Sequence, residues 1–313
     1  MVAYRNLGSS GLRVTEITYG NWLTHGSQVE ADTAIECVRT ALDLGITSFD
    51  TADVYANTRA EEVLGRALKG ERRDGLEIFT KVYFPVDAKG ANDSGLSRKH
   101  ILRGVEGSLR RLGTDYVDLL QAHRFDDSTP LEETISAFAD VVRSGKALYV
   151  GVSEWTAPQL RAGQVLATQM GFRLVSNQPQ YSMLWRVIEA EVVPTAAELG
   201  MGLMPYFALA AGFLTGKYRR DEAISGDRAG MVADYQRPEC YDVVETVASV
   251  AADHGVEPAA VALAWLRDRP GVTAPLASAR NLSQLRPIVE ALTLEVSDEE
   301  TRALTRVSDA ARF

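Results

Sequence analysis

The sequence S-F-D-T-A-D-V-Y, at residues 48–55, contains the pattern on which our interpretation of this chain depends. The apolar residues Ile46 and Phe49 lead to the acid Asp50, and the phenol Tyr55 follows five residues later. A strand that ends in a carboxylate contributes little to a core, because burial of an unpaired charge is costly. It can instead place reactive side chains at the end of a strand. We therefore expect this stretch to lead into a functional site.

Two further apolar stretches also end in polar side chains. The sequence E-I-F-T-K ends at Lys81, and the sequence Y-V-D-L-L-Q-A-H ends at His123. The carboxyl ends of parallel strands meet at one face of a sheet or barrel, and active sites lie at that face. We therefore predict that Asp50, Tyr55, Lys81 and His123 form one polar cluster.

Strand-like and helix-like segments alternate along the chain. The predicted strands are Thr15–Tyr19, Thr47–Asp50, Glu77–Lys81, Tyr116–Gln121, Ala147–Val152, Leu174–Gln178, Gly202–Pro205 and Val272–Pro275. Most strand ends are roughly thirty residues apart, the length of one βαβ unit, and a last gap of about 70 residues indicates an insertion after the seventh strand. An open doubly wound sheet and a closed barrel both fit this alternation. Eight units in one run, without a break in composition, favour a single (β/α)8 barrel over residues 1–313.

Local signals predict how several of these elements begin. Residues Tyr4–Leu7 and Leu12–Val14 flank the sequence G-S-S-G, which predicts a hairpin before the barrel. Capping boxes, in which a Ser or Thr precedes Glu or Gln by three residues, occur at Thr129–Glu132, Thr156–Gln159 and Ser297–Glu300. Each of these boxes predicts the start of a helix.

The composition excludes several classes of function. The formal net charge is −9 at pH 7, so a nucleic-acid partner is not expected, because phosphate binding needs a basic surface. The two cysteines form no disulfide framework, and the four histidines show no metal-ligand spacing. The first residues lack a signal-peptide pattern, and no window has the apolar length of a membrane span. We therefore expect a cytoplasmic protein without a metal or a membrane partner.

The usual glycine-rich nucleotide motifs do not match this sequence. No G-x-G-x-x-G follows a predicted strand, so a Rossmann site is not predicted. The sequence G-F-L-T-G-K at residues 212–217 resembles a P-loop, but it is one residue short between the glycines, and Tyr218 follows the lysine. A nucleotide would therefore have to bind in another way.

The predicted polar cluster suits proton transfer to a substrate oxygen. A phenol with a pKa near 10 is a weak acid at neutral pH, and a nearby ammonium group favours its phenolate form. Asp50 would keep Lys81 charged and oriented, and His123 could orient the substrate oxygen by hydrogen bonding. None of these groups is redox-active, so a reduction would require a partner that supplies electrons.

An ordered series of motifs resembles the aldo-keto reductase superfamily over almost the whole chain. The series includes Y-R-N-L-G-x-S-G-L-x-V, F-D-T-A-D-V-Y, T-K-V, L-G-T-D-Y-V-D-L-L-Q-A-H, R-S-G-K-A-L-Y-V-G-V-S, S-N-Q, L-T-G-K-Y and A-P-L-A-S-A-R-x-x-x-Q-L. The most similar branch contains bacterial reductases that resemble the β subunits of voltage-gated potassium channels. The resemblance implies a (β/α)8 barrel that reduces carbonyl groups with NADPH.

The resemblance also implies roles for individual residues at the reacting end of the site. Tyr55 would protonate the carbonyl oxygen, Lys81 and Asp50 would lower the pKa of Tyr55, and His123 would orient the substrate. Ser153 and Gln178 match positions that hold the nicotinamide carboxamide, and Tyr206 matches the aromatic residue that stacks on the nicotinamide ring. Two aromatic residues are candidates for the wall of the substrate pocket, Trp22 and Tyr83.

Further positions match contacts to the remainder of the cofactor. Leu209, Gly212 and Lys217 fall in the segment that covers the pyrophosphate, with Arg228 as a further candidate in that segment. Arg280 and Gln284 match contacts to the 2′-phosphate and the adenine. The small carbonyl substrate itself is not identified by the sequence, and the oligomeric state is left open, with a homo-oligomer as one alternative.

The chain departs from the pattern of its apparent family at several cofactor positions. Glu154 replaces a frequent asparagine beside the carboxamide serine, Ser278 replaces a frequent glycine, and Ile288 replaces an asparagine that can reach adenine. Phe207 replaces a common serine after the stacking aromatic residue. The Phe207 ring would either crowd the channel for the phosphates or pack under the insertion after the seventh strand. The first placement predicts weaker binding of NADPH.

Two other functions compete with an NADPH-dependent reductase. A regulatory subunit that senses the nicotinamide redox state and docks on a partner protein is the first, although the channel subunits typically carry asparagine in place of His123. A phosphate-binding barrel enzyme such as an isomerase is the second, with A-L-A-A-G at residues 208–212 as its candidate loop. The complete set of four polar residues favours the reductase.

Overall fold

Ten strands and ten α-helices are present in the part of the chain that the computed structural model describes, which comprises residues 2–22, 24–86, 90–220, 222 and 229–312. The strands are β1 (Tyr4–Asn6), β2 (Arg13–Thr15), β3 (Thr18–Gly20), β4 (Ser48–Asp50), β5 (Glu77–Val82), β6 (Val117–Ala122), β7 (Ala147–Ser153), β8 (Leu174–Gln178), β9 (Gly202–Leu203) and β10 (Leu276–Ala277). The helices are α1 (Ala31–Asp43), α2 (Arg59–Ala67), α3 (Arg98–Leu112), α4 (Leu131–Arg143), α5 (Ala157–Gln169), α6 (Val192–Glu198), α7 (Pro238–His254), α8 (Pro258–Arg267), α9 (Leu282–Thr293) and α10 (Asp298–Ala311).

The strands β3 to β10 form one parallel sheet in the order β10-β3-β4-β5-β6-β7-β8-β9. The sheet curls until its two ends meet. Leu203 at the end of β9 forms a parallel bridge with Val272, and the Leu276 N–H donates to the Pro205 carbonyl at 2.8 Å. The (β/α)8 barrel that the sequence predicts is therefore confirmed.

Two barrel strands differ from the sequence-based prediction by three residues or more at a boundary, and the others by two residues at most. The first barrel strand begins at Thr18, because Thr15 pairs with Tyr4 in the antiparallel hairpin of β1 and β2. The last barrel strand was predicted at Val272–Pro275, but the regular pairing lies at β10, and Val272 forms only an isolated bridge. Proline has no N–H to donate, so Pro275 ends the earlier stretch rather than extending a ladder.

The hairpin of β1 and β2 covers the amino-terminal end of the barrel. Its residues Leu7 and Val14 are fully buried and pack with the barrel residues Phe79, Leu119 and Met204. The turn fits tightly against the chain before β9, because a side chain at Gly8, which has a φ of +57°, would lie 2.4 Å from the Gly200 carbonyl oxygen. In the described part of the chain, the hairpin therefore closes the end of the barrel opposite to the carboxyl ends of the strands.

The helices bury apolar faces against the outside of the barrel. On α3 the side chains of Ile101, Val105, Leu109 and Leu112 are buried, as the helical spacing predicts. The boxes at Thr156–Gln159 and Ser297–Glu300 form as predicted.

The prediction of a capping box at Thr129–Glu132 is wrong. Thr129 Oγ1 donates instead to Asp126 Oδ2 at 2.7 Å, and Pro130 occupies the N-cap position of α4. Asp126, in the loop before the helix, binds the Thr129 hydroxyl in place of the helix backbone. The capping-box pattern does not include this residue and so could not indicate the competition.

The long segment between β9 and β10 contains two helices instead of one. The helix α8 follows β9 as the regular barrel helix, and α7 is inserted before it. The inserted helix packs against the carboxyl-terminal helix α10, and Arg237 Nη2 donates to the Ala311 carbonyl at 2.5 Å. Within the described residues, no helix combines the length and the apolar character that crossing a membrane requires.

Candidate active site

The four polar residues that the sequence singles out meet at the carboxyl end of the barrel. Lys81 Nζ donates to Asp50 Oδ2 at 2.5 Å, to the Thr51 carbonyl at 2.8 Å and to Tyr55 Oη at 3.1 Å. Both members of the Lys81–Asp50 ion pair are almost completely buried, with side-chain exposures of 0% and 1%. The ring centroid of His123 lies 5.6 Å from that of Tyr55. The predicted cluster is therefore present as a set of direct contacts.

The hydrogen bonds of Lys81 determine the direction of the Tyr55 hydroxyl proton. An ammonium group has three donors and no acceptor, and the three acceptors around Lys81 account for all three donors. Tyr55 Oη must therefore accept from Lys81, and its own proton is free to point elsewhere. Tyr55 lines the cavity described below, which offers that proton a direction toward a ligand.

The Lys81 side chain stays positively charged in this environment. Burial by itself would lower the pKa of Lys81, but the Asp50 carboxylate and the Tyr55 phenol outweigh burial and raise it. Asp50 also accepts from Gln121 Nε2 at 3.1 Å and from Gln178 Nε2 at 3.0 Å, both through Oδ1. Each carboxylate oxygen thus has a donor, which stabilises the buried negative charge.

The pKa of the Tyr55 phenol is raised rather than lowered. Burial is the largest cause, and it outweighs the opposite effect of the Lys81 ammonium. The expectation that Lys81 favours the phenolate is correct for the lysine alone, but it omits the desolvation of the phenol. Tyr55 is therefore protonated at neutral pH and able to act as an acid.

His123 is a neutral side chain at neutral pH. Burial, followed by the charges of Lys81 and Arg124, lowers the pKa of His123 to about 2. Its Nδ1 atom is buried and has no hydrogen-bond partner among the described residues, and its ring packs edge-on against Phe84 at a centroid distance of 5.0 Å. A neutral imidazole can orient a substrate by hydrogen bonding without adding a charge.

The buried side chain of His25 should make the unfolding free energy of the protein depend on pH. His25 is fully buried, Asn21 Nδ2 lies 3.2 Å from its Nδ1, and burial lowers its pKa to about 4. An unfolded histidine binds a proton as the pH falls through about 6.5, so the unfolded state carries more protons between these values and stability falls on acidification. From pH 8 to pH 5 we expect His25 to account for about 2 kcal/mol of lost unfolding free energy.

Urea denaturation at the two pH values checks this expectation. The His25→Asn variant should lose about 2 kcal/mol less stability than the wild type over the same interval, whatever its stability at pH 8. An equal loss in both proteins would show that His25 takes up a proton in the folded state.

One continuous cavity of about 750 Å³ extends from the polar cluster to the loops after β9 and β10. Its lining includes most of the residues that the sequence singles out, namely Trp22, Asp50, Tyr55, His123, Ser153, Gln178, Tyr206, Phe207, Leu209, Gly212, Lys217, Ser278, Arg280 and Gln284. Lys81 lies beneath this surface and contacts two of the lining residues, Asp50 and Tyr55. Ile288 also lines the cavity. Glu154 Oε1 accepts a hydrogen bond from the Gln180 N–H at 2.6 Å.

One predicted site residue is placed differently, and another lies outside the described residues. Tyr83 does not line the cavity, and its ring packs edge-on against Phe84 with a centroid distance of 5.0 Å, while Phe84 lines the cavity. Successive residues of an extended chain point in opposite directions, so an error of one position reverses the face. Arg228 lies outside the described residues.

The Phe207 ring faces the cavity, which is the first of the two placements considered above. Its centroid lies 5.4 Å from that of Trp22 and 5.2 Å from that of Tyr206. These three rings form an aromatic wall beside Tyr55, whose ring centroid is 6.4 Å from that of Trp22. The effect of Phe207 on cofactor affinity stays a prediction.

The backbone conformation marks the same loops. In the described part of the chain, all seven non-glycine residues with positive φ lie within five residues after Tyr55, Ser153 or Tyr206. They are Ala56, Asn57, Thr58, Glu154, Phe207, Ala210 and Ala211. Such conformations cost about 1–3 kcal/mol each and cluster at functional sites. The strain therefore supports the assignment of this face as the site.

Three cations line the cavity without a carboxylate partner. Arg124, Lys217 and Arg280 all lie on its surface, and none of them belongs to an ion pair within 4.0 Å among the described residues. Arg280 Nη2 donates to Gln28 Oε1. Unpaired cations in a cavity suit an anionic ligand such as a phosphate.

Sequence analysis missed Phe84, Arg124 and Gln121. Each of them lies at or directly after the end of a barrel strand, beside a residue that the motifs identify. Position near a strand end was the available signal. Gln121 stood within a quoted motif without a role, and the roles went to Tyr83 and His123 instead of Phe84 and Arg124. Gln121 acts through Asp50, whereas Phe84 and Arg124 face the cavity.

Comparison with known proteins identifies relatives that match along most of the chain. The chain is 36% identical over 313 residues to a rice protein named as a probable voltage-gated potassium channel subunit beta, covering 95% of this chain and 94% of the relative. It is 39% identical over 300 residues to an Arabidopsis thaliana protein of the same name, covering 92% of this chain and 90% of the relative.

A bacterial relative carries a different description. The chain is 37% identical over 314 residues to an uncharacterized oxidoreductase of Bacillus subtilis, with 97% of this chain and 95% of the relative covered. The model of the aldo/keto reductase family matches residues 16–309. With the barrel, the polar cluster and the relatives in agreement, the chain belongs to the aldo/keto reductase family.

Proposed function

We propose that this protein reduces the carbonyl group of an aldehyde or ketone to an alcohol with NADPH, and that Tyr55 supplies the proton. The observation that carries the proposal is the set of three acceptors around Lys81, which directs the Tyr55 proton away from the lysine. NADPH supplies the hydride for the carbonyl carbon when it is bound. The proton that the product oxygen requires comes from Tyr55.

The protein stabilises Tyr55 both before and after proton transfer. Before transfer, burial keeps the phenol protonated. After transfer the phenolate lies 3.1 Å from the buried Lys81 ammonium, which stabilises the new negative charge. His123 stays neutral and can donate or accept one hydrogen bond at the carbonyl oxygen. Lys81 and Asp50 are thus positioning residues, and Tyr55 is the catalytic acid.

The cavity suits a nicotinamide dinucleotide in the distribution of polar, aromatic and charged groups along its lining. Near Tyr55 it offers the Tyr206 ring and polar groups on Ser153 and Gln178, and farther away it offers Lys217 and Arg280. Gln178 Nε2 already donates to Asp50 at 3.0 Å and lies 3.4 Å from Gln121 Oε1, so its Oε1 is the atom left for a ligand amide. The cations would hold phosphate groups.

A titration with NADPH and NADH, followed by a screen of carbonyl compounds, tests the proposal. Aldehydes, ketones and quinones are added to the purified protein, and the loss of reduced-nicotinamide absorbance is recorded. Turnover of at least one carbonyl class is the expected result. Tight NADPH binding without turnover of any carbonyl would contradict the proposal and favour a regulatory subunit that docks on a partner, which the names of the plant relatives also suggest.

Arg280 should determine the preference for NADPH over NADH. Its half-buried guanidinium lines the far end of the cavity and has no carboxylate partner among the described residues. A charge-assisted hydrogen bond contributes about 1.5–3 kcal/mol, so Arg280→Ala should weaken NADPH binding by about 10–100-fold and leave NADH binding nearly unchanged. Calorimetric titration with both cofactors provides the measurement.

The Arg286→Ala variant is the matched control for Arg280→Ala. Arg286 lies on α9, six residues later, is 71% exposed and pairs with Glu290 at 2.7 Å, and it does not line the cavity. This variant should bind both cofactors as the wild type does. Equal losses of NADPH and NADH in Arg280→Ala would indicate a structural role for Arg280.

A further inference from the structure

Arg124 places a positive charge beside the reacting groups of the site. It follows His123 directly after the end of β6, and its side chain is half-buried at the cavity surface. Arg124 Nη1 donates to the His123 carbonyl at 2.5 Å and lies within 3.4 Å of Ser153 Oγ. Its guanidinium carbon is 5.7 Å from the centroid of the Phe84 ring. The guanidinium is therefore held by the ends of two neighbouring strands.

These contacts leave most of the Arg124 donors available. A guanidinium has five N–H donors, and the hydrogen bonds found for Arg124 among the described residues use Nη1 only. The acid on the adjacent strand end, Glu154, accepts from the Gln180 N–H at 2.6 Å and interacts with the Tyr206 hydroxyl. The Nε and Nη2 donors of Arg124 thus form a fork without an acceptor in the described part of the chain, the geometry that binds a carboxylate bidentately.

The position of Arg124 differs from that of the other two cavity cations. Lys217 and Arg280 belong to the loops after β9 and β10, whereas Arg124 adjoins His123 at the reacting end. It contacts the His123 carbonyl and Ser153, and the His123 ring centroid lies 5.6 Å from that of Tyr55. Its charge also opposes the rise in the pKa of the Tyr55 and Tyr206 phenols. A ligand anion bound by Arg124 would therefore belong to the molecule that carries the carbonyl group.

We propose that Arg124 selects carbonyl substrates that carry a carboxylate, with the Trp22 and Phe207 rings of the aromatic wall accepting a flat or apolar connecting group. This inference rests on the proposed reductase function and identifies its substrate class. The carboxylate would bind the free Nε and Nη2 donors while the carbonyl oxygen lies at Tyr55. Both anion binding and carbonyl reduction would then occur within one cavity.

The test compares 4-carboxybenzaldehyde with its methyl ester. The 2- and 3-carboxy isomers are compared with their methyl esters in the same way. The members of each pair differ mainly in one negative charge. In the wild type we expect a higher kcat/KM for at least one acid than for its ester, chiefly through KM. Arg124→Gln should lower the ratio of the two values by about 10–100-fold, the factor expected for loss of a charge-assisted hydrogen bond. Arg124→Lys should keep part of the preference, because it keeps the charge without the planar fork.

Equal losses for acid and ester in Arg124→Gln would overturn the proposal. A higher kcat/KM of the wild type for every methyl ester than for the corresponding acid would also overturn the proposal. The Kd for NADPH is measured on each variant, and a loss confined to that Kd would assign Arg124 to the cofactor instead. Melting temperatures identify a variant that fails to fold, and Arg124→Lys then serves as the test.

Titration with benzoate and with benzamide separates this inference from the reductase function. Tryptophan fluorescence follows binding, with and without NADP+, and no turnover is needed. If the wild type reduces no carbonyl yet binds benzoate more tightly than benzamide, and Arg124→Gln loses that difference, the reductase function fails and the carboxylate site stands. A benzoate affinity that is independent of Arg124 overturns the carboxylate site even if the protein proves to be an active reductase.

Discussion

Replacing Tyr55 by phenylalanine should lower turnover by about 10²–10⁴-fold, the usual contribution of a positioned general acid. The phenylalanine ring keeps the aromatic packing with His123 and Trp22 and removes only the hydroxyl group. Lys81 still donates to Asp50 and to the Thr51 carbonyl, so its charge stays compensated. We therefore expect NADPH binding and the melting temperature to change little while kcat falls.

Steady-state kcat and the Kd for NADPH, measured on the same preparation, provide the check on Tyr55→Phe. Tyr116→Phe is a matched control, because Tyr116 precedes β6 at the opposite end of the barrel and its hydroxyl donates to Asp74 at 3.2 Å. The control should turn over substrate as the wild type does. Near-normal kcat in Tyr55→Phe would remove Tyr55 from the role of acid and require another donor.

Replacing Lys81 by methionine should damage both catalysis and stability. Catalysis should fall by about the same 10²–10⁴-fold, because the phenolate formed by proton transfer loses the ammonium that lies 3.1 Å away. Stability should fall by about 3–5 kcal/mol, the cost of removing one partner of a buried ion pair. The Asp50 carboxylate would then be left with the Gln121 and Gln178 amides as its side-chain donors.

A double variant separates the two effects of Lys81. Asp50→Asn combined with Lys81→Met removes the uncompensated charge, so it should regain part of the unfolding free energy that Lys81→Met loses, without regaining turnover. Urea denaturation and kcat on the two single variants and the double variant complete the cycle. Equal destabilisation in Lys81→Met and in the double variant would show that the buried charge is not the cause of the loss.

Most of the barrel could be predicted because local patterns in the sequence agree with the tertiary fold. Segments such as Glu77–Val82 and Leu174–Gln178 are buried on both faces almost throughout, which is typical of parallel strands covered by helices. Boundaries were less certain where long-range pairing decides them. Thr15 belongs to the hairpin because it pairs with Tyr4. Val272 lies outside the last barrel strand because regular pairing with β3 begins at Leu276.

The location of the site followed from topology, but its chemistry did not. Asp50, Tyr55, Lys81 and His123 were predicted to meet because parallel strands end at one face. The net pKa shift of Tyr55 depends on how deeply the phenol is buried, which is the sum of many contacts from distant parts of the chain. Such a sum has no sequence pattern, so the sequence indicated the lowering effect of Lys81 but not the net rise in the pKa of Tyr55.

The sequence by itself determined the order of the elements, the family resemblance and the four polar residues, because strand and helix periodicity and strand ends are local properties of the chain. Only the tertiary structure decided which side chains face the cavity, and it replaced Tyr83 with Phe84 at the wall. It also decided that Arg124 has no carboxylate partner within 4.0 Å among the described residues, because a charge is compensated by whatever neighbours the fold brings near it. The electrostatic interaction between two charged side chains depends on the distance between them in the fold, and their separation in the sequence does not give that distance.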